Sequence, residues 1–289
     1  MAYGQKKGHV QAKRVTGLTL SYIFLAIICV FWVFPFVYLI LQSIRGESTG
    51  VVVYILPKQV TFQNYINLFT NASWKFGTWY LNTLIIAIFT AVIQTIIVLL
   101  TAYALSRMRF KGRTALMKFM LIIGMFPGFL SMVCIYFILK ALNLQTSVFG
   151  LVLVYCSGAM MGYYICKGFF DTISKSLDEA AMIDGASRNT IFWKIIMPLS
   201  KPIVIYTILT SFLGPWGDFM MANFLVARGS QDTWTVAVGM QNWLTTSNLP
   251  YYFTTFCAAG VVVSIVPTIL FFFMQRFYVE GVTGGAVKG

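Results

Sequence analysis

The feature that most narrows the fold is a set of six apolar runs, near Leu18–Leu41, Tyr80–Leu105, Leu116–Leu139, Phe149–Phe169, Pro202–Val226 and Phe256–Phe277. About 20 apolar residues cross a bilayer as one helix. Inside a bilayer the backbone must satisfy its own polar groups, which leaves helices or a closed barrel. Runs of this length, without strict alternation, predict an all-α membrane protein with six transmembrane helices. Composition agrees: only 10% of residues are charged, where a soluble domain carries about 25%.

The charges between the runs set the orientation. Lys6, Lys7, Lys13 and Arg14 make residues 1–16 a basic tail, and Arg107, Arg109, Lys111 and Arg113 crowd the turn after the second run. Cations collect on the cytoplasmic side. With both termini cytoplasmic, sixteen of the 21 Lys/Arg lie inside and five outside (Arg45, Lys58, Lys75, Lys140 and Arg228). Residues 17–277 then form the transmembrane domain, with a long cytoplasmic loop at 171–201 and a C-terminal tail at 278–289. The net charge of +13 is explained by this bias, so no nucleic acid is expected as a partner. No short apolar leader with a cleavage site precedes the first run, which is expected to insert uncleaved.

Catalytic chemistry has no residues to stand on. The five cysteines all fall within apolar runs, with neither a disulfide framework nor a metal-ligand spacing. His9 is the only histidine. There is no G-x-x-x-x-G-K-[ST] loop to hold a nucleotide. The chain is expected not to be an enzyme.

One polar stretch stands out, Ser176 to Gly185 in the 171–201 loop. Ser176 followed by Glu179 has the spacing of a capping box, and Gly185 is placed to end the helix in the left-handed conformation. Leu177, Ala180, Ala181 and Asp184 share one face, where two alanines allow close approach by another surface. Ser187 is placed to cap a second helix through Ile191, Ile195 and Ile196. The order Glu179-Ala180-Ala181, three residues, Gly185, nine residues, Ile195-Ile196-Met197-Pro198 resembles the cytoplasmic loop of type I bacterial ABC importer permeases. Met197 stands where leucine is usual, a nearly volume-conserving change. Arg107-Met108-Arg109-Phe110, Thr235 to Gln241 and the end Gln275 to Gly289 resemble the maltose-type, MalG-like branch.

The resemblance implies a permease subunit in the bacterial inner membrane that imports a maltodextrin-like or related oligosaccharide. It also implies the partners: a second homologous permease, two ATPase subunits and an extracytoplasmic solute-binding protein. ATP and Mg would be held by the ATPases, so this chain needs no cofactor. Ser176, Glu179, Ala180, Ala181, Asp184, Gly185 and Pro198 would form the coupling helix region that docks on an ATPase. The tail glycines Gly281, Gly284 and Gly285, with Lys288, would reach towards the ATPase interface as an extended segment. An ion-gradient-driven secondary carrier is the alternative. Such carriers show internal repeats and ionisable relays, whereas here one acid lies in a span and no repeat is visible.

That acid is Asp218, in Ser211-Phe212-Leu213-Gly214-Pro215-Trp216-Gly217-Asp218 of the fifth run. A carboxylate at mid-bilayer costs about 2.5–3.5 kcal/mol and usually faces the bundle interior or a water-filled path. A helix break between Gly214 and Gly217 would let Trp216 and Asp218 line one path, the indole for a sugar ring and the carboxylate for its hydroxyls. The second reading is a structural pair around Asp218, and both stand open. Tyr163 and Tyr164 in the fourth run are further candidates for the path.

Overall fold

A computed structural model describes residues 2–47, 54–125, 128–245 and 249–286. The described residues form helices joined by short turns, and one isolated bridge, Arg45 with Val60, is the sole β pairing among them. Clustering of contacts gives two compact units, Met1–Leu68 with Leu244–Val262 and Phe69–Trp243 with Val263–Gly289.

The first unit contains α1 (Ala2–Ser43) and α2 (Gln63–Thr70). α1 passes through Pro35 without a break; an 18-residue apolar stretch within Gly17–Ser43 has no buried residue, and only the end of the helix, at Gln42 and Ser43, is buried. A helix this apolar with so little covering it belongs in lipid or against another subunit. Past its end, Arg45 is 1% exposed. Arg45 Nε donates to Gln42 Oε1 at 2.7 Å, and Nη2 donates to the carbonyls of Tyr54 and Ile55 at 2.7 and 3.0 Å. The sequence places Arg45 among the loop cations; the fold turns it inward as a clamp on a loop.

The second unit is organised by α3 (Phe76–Arg107), which packs along α6 (Val148–Ser157), α7 (Met160–Thr172) and α11 (Lys201–Gly217). Its 32 residues exceed the length a bilayer needs, so its C-terminal turns, which end in Arg107, project beyond the apolar zone. α4 (Arg113–Gly124) and α5 (Gly128–Ala141) occupy the third apolar run, with residues 126–127 between them outside the described residues. After α7 come α8 (Lys175–Ile183), α9 (Arg188–Ile191), a π-helical turn at Phe192–Ile196 and α10 (Met197–Leu199). α12 (Met220–Val226), α13 (Val236–Trp243) and α14 (Leu249–Ala286) complete the chain. Gly239 brings α13 against α3 so closely that a Cβ there would run into the Trp79 ring. Beside this contact Lys75 Nζ and Asp232 Oδ1 pair at 2.6 Å, and the Lys75 hydrogen bond holds the Asp232 carboxyl below its ordinary range.

Among the described residues, three helices are long and apolar enough to cross a membrane, and up to five if each bent pair counts as one span. The bends are where the structure departs from the sequence reading. The fourth run is not one helix: α6 and α7 meet at 43° around Gly158-Ala159. The fifth run breaks at Asp218-Phe219, not between Gly214 and Gly217; Pro215 sits inside α11, and Asp218 takes extended backbone. Proline is tolerated there because it lies within the last turn, where its clash with the preceding turn displaces little chain. The 84° corner before α11 falls at Ser200. Pro202 lacks an N–H for the carbonyl of residue 198, and its ring crowds that carbonyl, so α10 cannot run on.

Candidate functional site

Two places concentrate polar geometry in the second unit, one at each kind of helix interruption. The first is α8. Its N-cap is Ser174, whose Oγ accepts from the Ser176 N–H at 3.3 Å and lies 2.7 Å from Ser176 Oγ. The expected cap at Ser176 is therefore wrong, and so is the capping box: Glu179 stands at the fifth helical position, out of reach of the cap. Ser174 wins because its backbone, at φ −57° and ψ 132°, is non-helical, as a cap requires. The C-terminus follows the expectation. Gly185 has φ +81°, its N–H donates to the Met182 carbonyl at 3.1 Å, and the Ala186 N–H donates to the Ala181 carbonyl at 2.9 Å. These are the two bonds of a Schellman end. Ser187 caps α9 as expected, accepting from the Thr190 N–H at 3.2 Å.

What holds α8 in place was not visible in its own sequence. The Arg107 side chain, 3% exposed, pairs with Asp178 Oδ2 at 3.3 Å. Its Nη2 donates to the carbonyls of Phe170 and Ile173, both at 2.8 Å. One guanidinium thus ties the end of α3 to the end of α7 and to α8. Next to it, Ser106 Oγ and Lys167 Nζ both donate to the Asp171 carboxylate at 2.5 Å. Ala181 is buried in a cluster with Tyr103, Phe170, Ile191 and Phe192. The two alanines expected on one outer face are therefore split, since Ala180 is exposed. Exposed with it are Ser176, Glu179, Asp184, Pro198 and the apolar Leu177, and Ile183 is 86% exposed. A short helix pinned on one side presents apolar and acidic groups on the other.

The second place is the pair of breaks within the spans. At the α6–α7 break, the Tyr155 carbonyl accepts from Gln94 Nε2 of α3 at 2.9 Å and from the Gly158 N–H at 3.2 Å, and Ser157 Oγ donates to the Val154 carbonyl at 2.8 Å. At the α11–α12 break, Asp218 accepts from the N–H groups of Met221 and Ala222, both at 3.2 Å, and from Tyr155 O–H at 2.5 Å. Tyr155 therefore ties one broken span to the other. Irregular backbone at depth survives only where such partners replace water. Between the breaks lie two adjoining hollows, of about 330 and 240 Å³, which share Gln94, Thr210 and Ser211. Ser157 and Tyr206 add further hydroxyls, and no charged residue lines either hollow.

None of the four residues expected on the substrate path, Trp216, Asp218, Tyr163 and Tyr164, lines either hollow in this conformation. Asp218 is engaged by α12 and Tyr155. Trp216 is 8% exposed, packed edge-on against Tyr80 at 5.3 Å and beside Phe212. Tyr163 belongs to the core cluster around Ala181. Tyr164 O–H donates to the Met117 carbonyl and so joins α7 to α4. The structure brings Trp216 and Asp218 to one break but not to one surface. In the tail, Gly281, Gly284 and Gly285 fall within helical α14 rather than an extended segment, and Lys288 lies outside the described residues. Sequence reading missed Gln94, although an amide inside an apolar run is itself a signal of a polar interior.

Comparison with known proteins reaches the same region. Residues 94–284 match the family model of the binding-protein-dependent transport system inner membrane component. The chain is 34% identical to the maltodextrin transport system permease protein MalD of Streptococcus pneumoniae, covering 97% of this chain and 99% of that protein. Identity is also 34%, with the same coverage, to the galactooligosaccharides transport system permease protein GanQ of Bacillus subtilis. The fold is similar to that in a crystal structure of a bacterial ABC transporter involved in the import of the acidic polysaccharide alginate, with a TM-score of 0.77 at 23% identity, covering 92% of this chain and 97% of that one. The matched segment starts at Gln94, on the wall of the uncharged hollows, and runs through α8 into α14, and this chain belongs to the binding-protein-dependent transport system inner membrane components.

Proposed function

We propose that this chain is one of two permease subunits of an ATP-driven importer for a neutral oligosaccharide. The observation that carries this reading is the lining of the hollows between the broken spans. Gln94, Ser157, Thr210 and Ser211 offer donors and acceptors at a depth where charge is absent. Sugars need such hydroxyl and amide partners, whereas a uronic acid polymer would want cations to match its carboxylates. MalD and GanQ are named for maltodextrin and galactooligosaccharides, which fits the neutral lining better than the alginate importer's acidic cargo does. Substrate contact falls to Gln94, Thr210 and Ser211, with Asp218 and Tyr155 holding the breaks open and Trp216 packing behind them.

Coupling falls to α8. Its pinned face moves with α3 and α7 through Arg107, and its exposed face is offered to an ATPase subunit. A partner permease covers α1 and closes the path, a solute-binding protein delivers the sugar outside, and six spans place both termini inside. The test is reconstitution with the partner permease, the ATPases and the binding protein, followed by ATP hydrolysis with maltodextrins, galactooligosaccharides and alginate oligomers. Stimulation by a neutral series alone is expected; stimulation by alginate alone would overturn the neutral assignment.

A further inference from the structure

We infer that the cavity beside α8 is a binding site for a phosphate-bearing anion, supplied by the headgroup of an anionic phospholipid. The cavity encloses about 330 Å³ between the end of α3, the start of α4 and α8–α9. Five cations line it: Arg107, Arg109, Arg113, Lys175 and Arg188. Against them stand two carboxylates, Asp178 and Glu179. Asp178 is already committed to Arg107, and a net surplus of three positive charges remains around an open space.

Arg107 sharpens the assignment. Its side chain is nearly enclosed: Nη2 is used by two carbonyls, Nη1 faces Asp178 Oδ2 at 3.3 Å, and Nε has no hydrogen-bond partner. A buried guanidinium N–H left without an acceptor is costly, and the positive charge fixed there favours phosphate oxygens at the neighbouring cations. The remaining cations have no such commitment, except that Arg113 also acts on Asp171 and Arg188 on Tyr103.

The position of the cavity selects lipid as the source. It sits where a long apolar helix ends in Arg107 and where α4 begins at Arg113. Within two turns α4 exposes Leu116 and Phe119, and the turn between exposes Phe110. A headgroup in the cavity leaves its acyl chains beside these side chains. Basic residues at the cytoplasmic end of a span attract anionic headgroups on general grounds. Here the enclosed Arg107 makes a built cavity of what would otherwise be a diffuse patch. The bound anion would brace the junction that carries α8.

The test uses the intact permease–ATPase complex, stripped of lipid in neutral detergent. Phosphatidylglycerol, phosphatidylcholine and inorganic phosphate are added separately at equal ionic strength. Melting temperature is followed, together with lipid retained in native mass spectrometry. Phosphatidylglycerol should raise the melting temperature and be retained. Combined Arg109→Gln and Arg113→Gln should weaken that retention at least about fivefold, taking the charge-assisted bonds as the main contribution. Arg228→Gln, which removes a cation away from the cavity, should leave it unchanged. If the double variant does not assemble, Lys175→Gln on the exposed side of α8 replaces it, with the same expectation. Stabilisation by inorganic phosphate that the double variant abolishes would support the site with free phosphate as its source. A complex that answers neither probe, or a double variant that behaves like the parent or like Arg228→Gln, overturns the proposal.

Discussion

Two cavities adjoin α3, and they differ in charge and in what holds them open. The one at the spans' breaks is lined by amide, hydroxyl and glycine, and its nearest carboxylate, Asp218, is occupied by two backbone N–H groups and a tyrosine. The one at the end of α3 is lined by five cations and two carboxylates, and its central arginine pairs through Nη1 with Asp178 and keeps its Nε–H without an acceptor. A carboxylate at depth is tolerated once every lone pair has a partner; a cation near the water boundary can wait for one. On the proposed function, the difference separates two tasks. A neutral cargo is released more readily from an interior cavity without strong charge. Charge pairs at the end of α3 lock helices together, which suits a junction that passes force to an ATPase subunit.

The largest effect that would break this division is at Gly185. Its φ of +81° is unfavourable for any L side chain by about 1–2 kcal/mol, and more for a β-branched one. Gly185→Val combined with Glu179→Ala should leave the chain inserted and strip most ATPase from the purified complex. Glu179→Ala alone should do less, because Glu179 is not part of the cap. Normal ATPase stoichiometry in the double variant would remove α8 from the coupling role.

Next comes the clamp. Asp178→Ala leaves the Arg107 guanidinium enclosed without its counter-charge, a loss of about 3–5 kcal/mol for a buried pair. Amide exchange across residues 174–187 should quicken by at least about tenfold while the interior cavity keeps its protection. Equal quickening at α6 and α12 would mean that the two regions are not independent.

The interior cavity gives a smaller, more selective effect. Ser211→Leu fills the space shared by the two hollows, and uptake per assembled complex should fall roughly tenfold, the order of one lost hydrogen bond plus a steric block. ATPase content should not change. Unaltered uptake would move the path off this subunit.

The smallest expected change is Asp218→Asn. The amide keeps one acceptor and loses the charge, which should cost about 0.5–2 kcal/mol as for a lost cap. Yield and melting temperature should drop, with uptake per assembled complex retained, and Tyr155→Phe in the same chain should add less than its separate effect. Lower uptake at normal yield would restore Asp218 to the substrate path.

Much of the α8 region was legible because its signals are local. Gly185 ends a helix through its own backbone freedom, and Ser187 caps through a bond three residues on. The cap at Ser174 was misread because Ser174 and Ser176 both satisfy the sequence rule, and only backbone conformation chooses between them. The break in the fourth run escaped notice because Gly158 alone is weak evidence in an apolar helix; what permits the break is Gln94, 61 residues away from Tyr155 in sequence.

By itself the sequence determined the class of molecule: apolar runs too long and too many for a soluble core, and between the fourth and fifth a polar helix that ends at Gly185. These follow from transfer free energies and from neighbours a few residues apart, which the chain order contains. Tertiary structure alone decided that Arg107 reaches Asp178, that Tyr155 reaches Asp218, and that Trp216 packs on Tyr80 while Ser211 lines the cavity. Each depends on which faces of distant helices meet, and an apolar helix exposed to lipid, a subunit or its own core reads the same in sequence, because all three surroundings are equally apolar.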